Sequence, residues 1–446
     1  MTIHSSLKPN TGTHPRELLE QISLERDILE HAIKQVHETN TLLYDYYHEK
    51  SIEAAESARY YLRQRQQLLG AGLPSSSSSY WQLVDAKLAT LLAVFKQLNT
   101  ISPAYLGELE ESYPQVLLWL CLNLHEFAIT PLYCLVLQPQ VVPDNWCHEV
   151  GFGVRSDIDS MLVAGLFHEH QTLRQSSLAA LIRRRSCDSS QLRQYCQDRL
   201  LPSDVRVNIH QYYALQGDYS LRDKLQEDGL ELQCYPAFLY TYPHVRRWWL
   251  DNSDGLKAVM TEVEHRCYRY LVVGDEETTA ICYAQQGRDI DVVLSGEKQH
   301  IPRIIEYLCD DVGDDEFSRW FDCLVAICGE RLPIDRTQAE HSAYREQIPR
   351  LIEAWWEKEN AHLPCRLRMG QHLSFSSSLM LLGGEHIPAR YREWVWRQIG
   401  IGGRSYAHFS CFEAPAIQRT VIQRLSASAV LQERFDLRIR DAAVGY

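Results

Sequence analysis

Histidine, cysteine and carboxylate side chains that lie close in sequence are the first candidates for chemistry. His168-Glu-His170 offers two imidazoles and a carboxylate, all of them zinc ligands. On a helix, residues i and i+2 point about 200° apart, so both imidazoles cannot reach one ion, and no third ligand follows at a defined spacing. Cys147-His148-Glu149 and the pair Cys323 and Cys328 form neither a CxxC…CxxC nor an HExxH pattern. Nucleophilic catalysis has no Gly-x-Ser-x-Gly elbow to start from, and Ser374 to Ser378 reads as a polar run that caps or precedes a helix. Gly400-Ile-Gly-Gly-Arg404 carries the glycines of a phosphate loop, but it follows a Trp-rich helix and lacks the Lys-Ser/Thr of a P-loop. A helix C-terminal turn is expected there. Asp310-Asp311 and Asp314-Asp315-Glu316 could pair for acid–base work or hold a cation. Between two apolar helices they are expected instead to cap the second and favour its positive end. No catalytic residue, no metal site and no cofactor is expected.

Binding is the better-supported chemistry. Arg174 and Arg206 stand at equivalent places in two similar helices, and Asp204 beside Arg206 suggests a structural arginine–carboxylate role. Trp248-Trp249, Trp355-Trp356 and Trp394 with Trp396 place two indoles side by side or one apart, so the members of a pair point in different directions on a helix. One member of each pair is expected to be partly exposed. Exposed Trp and Arg anchor protein interfaces, which makes Arg246, Arg247, Trp248, Trp249, Arg392 and Trp394 the candidate partner contacts. The alternative is that both indoles of a pair are wrapped between neighbouring helices.

These residues must be held by helices. Ile22, Leu29, Val36 and Leu43 recur every seven residues over 14–48, and Ala54, Ala55, Ala58, Tyr61, Leu62, Leu68 and Leu69 recur at three and four over 51–69. They predict a helical hairpin over 14–72 after a disordered 1–13. Ser75 to Ser79 marks a linker over 73–80, 81–150 reads as a helical entry region, 151–430 as the main body and 431–446 as a tail. The apolar stretch from Val116 to Leu137 carries Asn123, His125, Glu126 and Pro131, which suits two buried helices broken near Thr130-Pro131 better than a membrane span. Asp289 to Ser295 alternates only in part and could be a strand or a helix turn.

Composition limits the partners. The 446 residues carry 45 Lys+Arg against 58 Asp+Glu, a formal charge of −13, which repels nucleic-acid phosphates and anionic lipid. Thirteen cysteines with no CxxC pair suit free thiols in a reducing compartment, and the polar N-terminus lacks the apolar run of a secretory signal. A cytoplasmic protein with no membrane span and no nucleic-acid partner is expected.

Weak repetition sets the architecture. Leu173 to Leu181 and Val205 to Tyr213 share an apolar-Arg start, and later pairs lie at 301–308 with 317–327 and 373–382 with 391–399. Stacked helix pairs of this length make an α-solenoid, so the expected fold is all-α, an N-terminal helical hairpin followed by an irregular HEAT-like α-solenoid. The apolar-Arg helices, with Leu215-Gln-Gly-Asp218, Gly274-Asp275 and Gly287-Arg-Asp289 read as helix ends, resemble HEAT-repeat proteins. More specifically, the chain resembles a family of bacterial HEAT-repeat proteins whose genes are often found near type VI secretion components. The landmarks are Ala58-Arg-Tyr-Tyr-Leu-Arg-Gln-Arg65, Asp85 to Leu92, Val205-Arg206 with Gly217-Asp218, Ala326-Ile-Cys-Gly329, Arg368-Met-Gly-Gln371 and Glu413-Ala-Pro-Ala-Ile-Gln-Arg419, an ordered series over roughly 55–425. The resemblance implies a non-enzymatic interaction scaffold, an adaptor, chaperone or accessory protein of type VI secretion whose partner is a spike, effector or toxin component. An immunity protein that sequesters a basic toxin is the alternative suggested by the acidic charge. An enzyme on a HEAT-like scaffold comes after it.

Overall fold

A computed structural model of the chain describes residues 41–101, 109, 111–127, 149–185, 189–198, 200–274, 287–310, 312–334 and 347–444. The fold is all-α. It divides into two compact units, Met1–Leu68 with Pro74–Ile209 and Phe412–Ala414, and Leu69–Leu73 with His210–Cys411 and Pro415–Tyr446. The described helices are α1 (Thr41–Ala71), α2 (Ser79–Ile101), α3 (Pro114–Asn123), α4 (Ile158–Gly165), α5 (Gln171–Arg184), α6 (Ser189–Cys196) and α7 (Ser203–Leu215), then α8 (Tyr219–Glu227), α9 (Tyr235–Thr241), α10 (Val245–Val259) and α11 (Glu262–Val273). They continue with α12 (Arg288–Ser295), α13 (His300–Cys309), α14 (Asp314–Cys328), α15 (Ile348–Glu359), α16 (Phe375–Leu382), α17 (Ala389–Gly403), α18 (Pro415–Ser426) and α19 (Ala429–Val444). Among the described residues the only paired strands are β1 (Leu367–Arg368) and β2 (Gln371–His372), a tight antiparallel hairpin. No described helix is long and apolar enough to cross a membrane.

In the first unit, α1 turns Ala55, Ala58 and Leu62 inward, and α2 turns Val84, Leu88 and Phe95, each set at helical spacing. Helix α3 is buried from Val116 to Leu122, with Trp119 edge-on to Phe95. Arginines fasten the ends. Arg155, almost fully buried, donates to the carbonyls of Cys121, Leu124 and Phe127 at 3.0, 2.8 and 2.8 Å and so satisfies the C-terminal groups of α3. Arg65 forms a buried ion pair with Glu149, whose carboxyl is pushed up by burial against the opposing pull of Arg65. Arg174 of α5 forks the carboxylate of Asp204 of α7 at 3.0 Å and reaches the carbonyls of His168 and Glu169. This is a structural arginine–carboxylate role, but Asp204 serves Arg174 and not Arg206, which bonds the carbonyls of Asp198 and Leu201 at 3.2 and 3.3 Å.

The second unit is organised around α17, which packs against α9, α11, α12, α16 and α19. Its residues are buried on every side, from Tyr391 and Arg392 to Gly403. A solenoid restricts each helix pair to its neighbours in sequence, and these contacts do not follow that rule. The β1–β2 hairpin docks on α14. Met369 and Gly370 donate backbone N–H groups to the carbonyls of Ala326 and Ile327 at 2.9 and 2.8 Å, so two landmarks of the family resemblance, Ala326–Gly329 and Arg368–Gln371, meet in space. Gly329 allows this contact, since a Cβ there would lie 2.6 Å from the Met369 carbonyl carbon, at a φ of +56°.

Several boundaries differ from the expectation. Helix α1 runs unbroken through 49–50, where the hairpin of 14–72 needed its turn, because Ser51 and Ala54 turn inward and continue the buried stripe; residues 14–40, like 1–13, lie outside the described residues. The break expected near Thr130-Pro131 also lies outside them. Within the linker of 73–80, Leu73 is buried and donates its N–H to the Gly384 carbonyl at 3.0 Å. The expected body of 151–430 divides at Ile209. Residues 431–446 are no tail, because α19 buries Phe435 beside Phe375. Asp289 to Ser295 is the helix α12, buried throughout, and Gly287 takes its N-cap; the helix expected to end there lies outside the described residues. Arg404 takes the C-cap of α17, as a helix-end reading of Gly400–Arg404 requires, and Ser374 caps α16 through a bond from the Ser377 N–H.

Candidate functional site

The six residues proposed as partner contacts separate into two groups. Arg246 and Arg247 are exposed, but Trp248, Trp249, Arg392 and Trp394 are buried and cannot meet a partner directly. The reason is the width of the inward arc. Helix α10 buries Val245, Trp248, Trp249 and Leu256, and neighbours about 100° apart both fit an apolar face of that breadth. Trp248 stacks on Phe238 at 5.2 Å and Trp249 lies against His265 at 5.2 Å. Trp394 and Trp396 point to opposite sides of α17, which is buried on both, and Trp394 meets Tyr268 edge-on at 5.0 Å. Arg392 donates to the Leu382 carbonyl at 2.9 Å and to Gln418, which in turn holds the Cys411 carbonyl. Only Trp355 and Trp356 are half-buried, as the pairing rule expected.

Arg246 and Arg247 border a cleft of about 700 Å³ within the second unit. Four helices build most of it, and Glu297 and Arg366 come from connecting segments. Helix α10 supplies Arg246, Arg247, Leu250 and Asp251, whose i, i+4 spacing sets them on its outer face. The C-terminal turn of α11 gives Tyr270 to Val273, the end of α17 gives Gln398, Gly402 and Arg404, and α19 gives Phe435, Arg438 and Ile439 at i, i+3 and i+4. Gly402 brings the last two together, because a Cβ there would meet the Phe435 ring at 3.0 Å. The glycine run that resembled a phosphate loop is a packing surface for α19.

Charge is the distinctive property of the cleft. Five arginines, Arg246, Arg247, Arg366, Arg404 and Arg438, face two carboxylates, Asp251 and Glu297. Asp251 lies 3.8 Å from Arg247, and Glu297 lies 3.8 Å from Arg366, to which a backbone bridge also aligns it. Glu297 is held below the usual carboxylate range by its bond to His300, with Arg366 adding to the pull. Among the described residues Arg246, Arg404 and Arg438 have no carboxylate partner within ion-pair distance. Arg438 donates to the carbonyls of Leu271 and Val272, the latter at 3.1 Å, at the negative end of α11. Burial, together with the charges of Arg404 and Arg246, lowers its pKa to about 10, so it stays protonated at neutral pH. Tyr270 is pushed up to about 12 by burial and remains a neutral phenol. The accessible apolar lining comes from Leu250, Val273 and Ile439, while Val245, Leu271, Val272 and Phe435 are buried.

Reasoning from sequence missed Arg366, Arg404 and Arg438. A signal existed in the C-terminal segment, where Phe435, Arg438 and Ile439 repeat at helical spacing. His168 and His170 lie before α5 rather than on a helix, with rings stacked at 5.2 Å, and no cluster of three or more potential metal ligands occurs among the described residues. The described cysteines are free thiols, and Cys323 and Cys328 are pushed well above the ordinary thiol range by burial. Cys147 and His148 lie outside the described residues. Asp314, Asp315 and Glu316 occupy the first turn of α14, but its cap is Gly313 and no side chain bonds there. No family model, curated protein or solved structure matches the chain.

Proposed function

We propose that the chain acts by binding another protein, as a non-enzymatic adaptor or accessory scaffold, and that the arginine-rimmed cleft of the second unit is its contact site. The observation that carries this reading is a cleft with three arginines that have no carboxylate partner among the described residues, on a chain of formal charge −13. Apolar walls beneath a rim of arginine match the composition of protein interfaces, in which Arg is enriched. A HEAT-like stacking belongs to the same proposal for helices α5 to α7 alone, supported by the bond from Arg174 to Asp204. So does the type VI secretion setting, whose support is the ordered series of segments resembling that family. A spike, effector or chaperone component is the partner it implies.

The immunity reading rests on acidic charge complementing a basic toxin, and the cleft has the opposite sign, which favours the adaptor. The test is affinity capture of the tagged full chain from its native bacterium, with quantitative mass spectrometry, beside an Arg246→Glu/Arg404→Glu variant. Secretion components retained by the wild type and strongly depleted in the variant are the expected result. Equal recovery with both would remove the cleft from the interface, and recovery of a single toxin that loses its activity would replace the adaptor with the immunity protein.

A further inference from the structure

Resting on the reading of the cleft as a partner site, we propose that its ligand is an acidic peptide segment, with carboxylates held by Arg246, Arg404 and Arg438 and interleaved apolar side chains against Leu250, Val273 and Ile439. Three features of the cleft support this class. The three arginines come from different helices, α10, the end of α17 and α19, and converge although they repel one another. An anion between them relieves that repulsion, and guanidinium groups bind carboxylates in a forked geometry. Arg404 also sits at φ 50°, ψ 50°, the left-handed region that glycine adopts without strain, at a helix cap where glycine is favoured. A strained arginine directed to the rim of a positively charged cleft is what a binding role predicts. Leu250, Val273 and Ile439 line the cleft beside the charges, so a ligand that is only charge leaves that part of the lining unused. A segment that alternates Glu with Leu fits both halves, and the volume of about 700 Å³ accommodates several side chains.

The test uses the full chain and a fluorescein-labelled Glu-Leu-Glu-Glu-Leu-Glu peptide, read by anisotropy at low salt. Its Gln-Leu-Gln-Gln-Leu-Gln counterpart and inorganic pyrophosphate serve as competitors. Saturable binding of the Glu peptide is expected, at least about tenfold tighter than the Gln peptide. Arg404→Gly and Arg246→Ala should each weaken it about tenfold, while Arg424→Ala, an exposed arginine outside the cleft, leaves it unchanged. Arg404→Gly keeps the fold, since glycine suits that backbone. Equal affinity for the Gln peptide, no effect of Arg404→Gly, or an equal loss with Arg424→Ala would overturn the proposal. Pyrophosphate binding more tightly than the peptide would also overturn it, in favour of a small phosphorylated ligand. If the Glu peptide fails but captured proteins still depend on Arg246 and Arg404, the acidic chemistry falls and the partner site stands. If captured proteins ignore both arginines, the partner site itself falls.

Discussion

Arg404 caps α17 in a conformation that disfavours any side chain with a Cβ by roughly 1 kcal/mol. Replacing it with glycine should therefore raise stability by about 0.5–1 kcal/mol, visible as a higher urea midpoint, while binding in the cleft is lost. A lower midpoint would show that the arginine side chain holds the helix end through contacts of its own. Arg368 behaves oppositely. It is buried and donates to Ser378 and Gln398, both at 2.7 Å, and to the carbonyls of Val293 and Leu294. Burial drags its pKa down to about 9, yet it remains charged at neutral pH. Arg368→Met removes bonds to four buried acceptors, of which the Leu294 carbonyl and Ser378 keep bonds to Gln398 and Ser374, and should cost about 3 kcal/mol or more in denaturant unfolding. A loss under 1 kcal/mol would mean that water or the neighbouring side chains replace those bonds.

Among the elements, α19 and the β1–β2 hairpin decide how the second unit closes. Phe435→Ala should cost roughly 3–5 kcal/mol, read as faster hydrogen exchange in α17, because Phe435 is 1% exposed. Unchanged exchange would return residues 431–446 to the status of a tail. Gly329→Ala forces a Cβ to within 2.6 Å of the hairpin backbone at a φ of +56° and should lower stability by at least about 2 kcal/mol in thermal unfolding. The helices themselves could be read in the sequence, since periodic apolar residues mark α2, α3, α5 and α7 directly. Ser374 as a cap and Gly400–Arg404 as a helix end were equally readable, because capping is local chemistry. The turn expected at 49–50 was not, since polar residues there continue the exposed face of a long helix as readily as they break it. The cleft was the least readable. Its arginines come from positions 246, 247, 366, 404 and 438, and nothing local brings these segments together; the packing of α19 on Gly402 joins the last two. The tryptophans misled for a related reason, since adjacent indoles fit one helix face when that face is wide.

For the whole molecule, charge and pH are the testable properties. His265 is buried against Trp249, and burial, with Lys257 adding, lowers its pKa below the ordinary histidine value. In the unfolded chain it takes up a proton near pH 6.5, so below that pH the unfolded state binds more protons and stability falls. The unfolding midpoint should rise between pH 5.5 and 7.5, and His265→Gln should flatten that rise; parallel curves would assign the pH dependence to other groups. The net charge of −13 makes an acidic partner a poor match for the surface as a whole, so attraction must be local to the cleft and weaken with salt. The most direct measurement of that claim is photo-crosslinking in the native cell, with p-benzoylphenylalanine at position 250, where Leu250 is exposed at the cleft, and at position 430, an exposed site outside it. The account predicts a crosslink from 250 to an acid-rich segment of one partner, absent from 430 and lost with Arg246→Glu/Arg404→Glu. Equal crosslinks from both sites, or one from 250 that survives the double substitution, would contradict it.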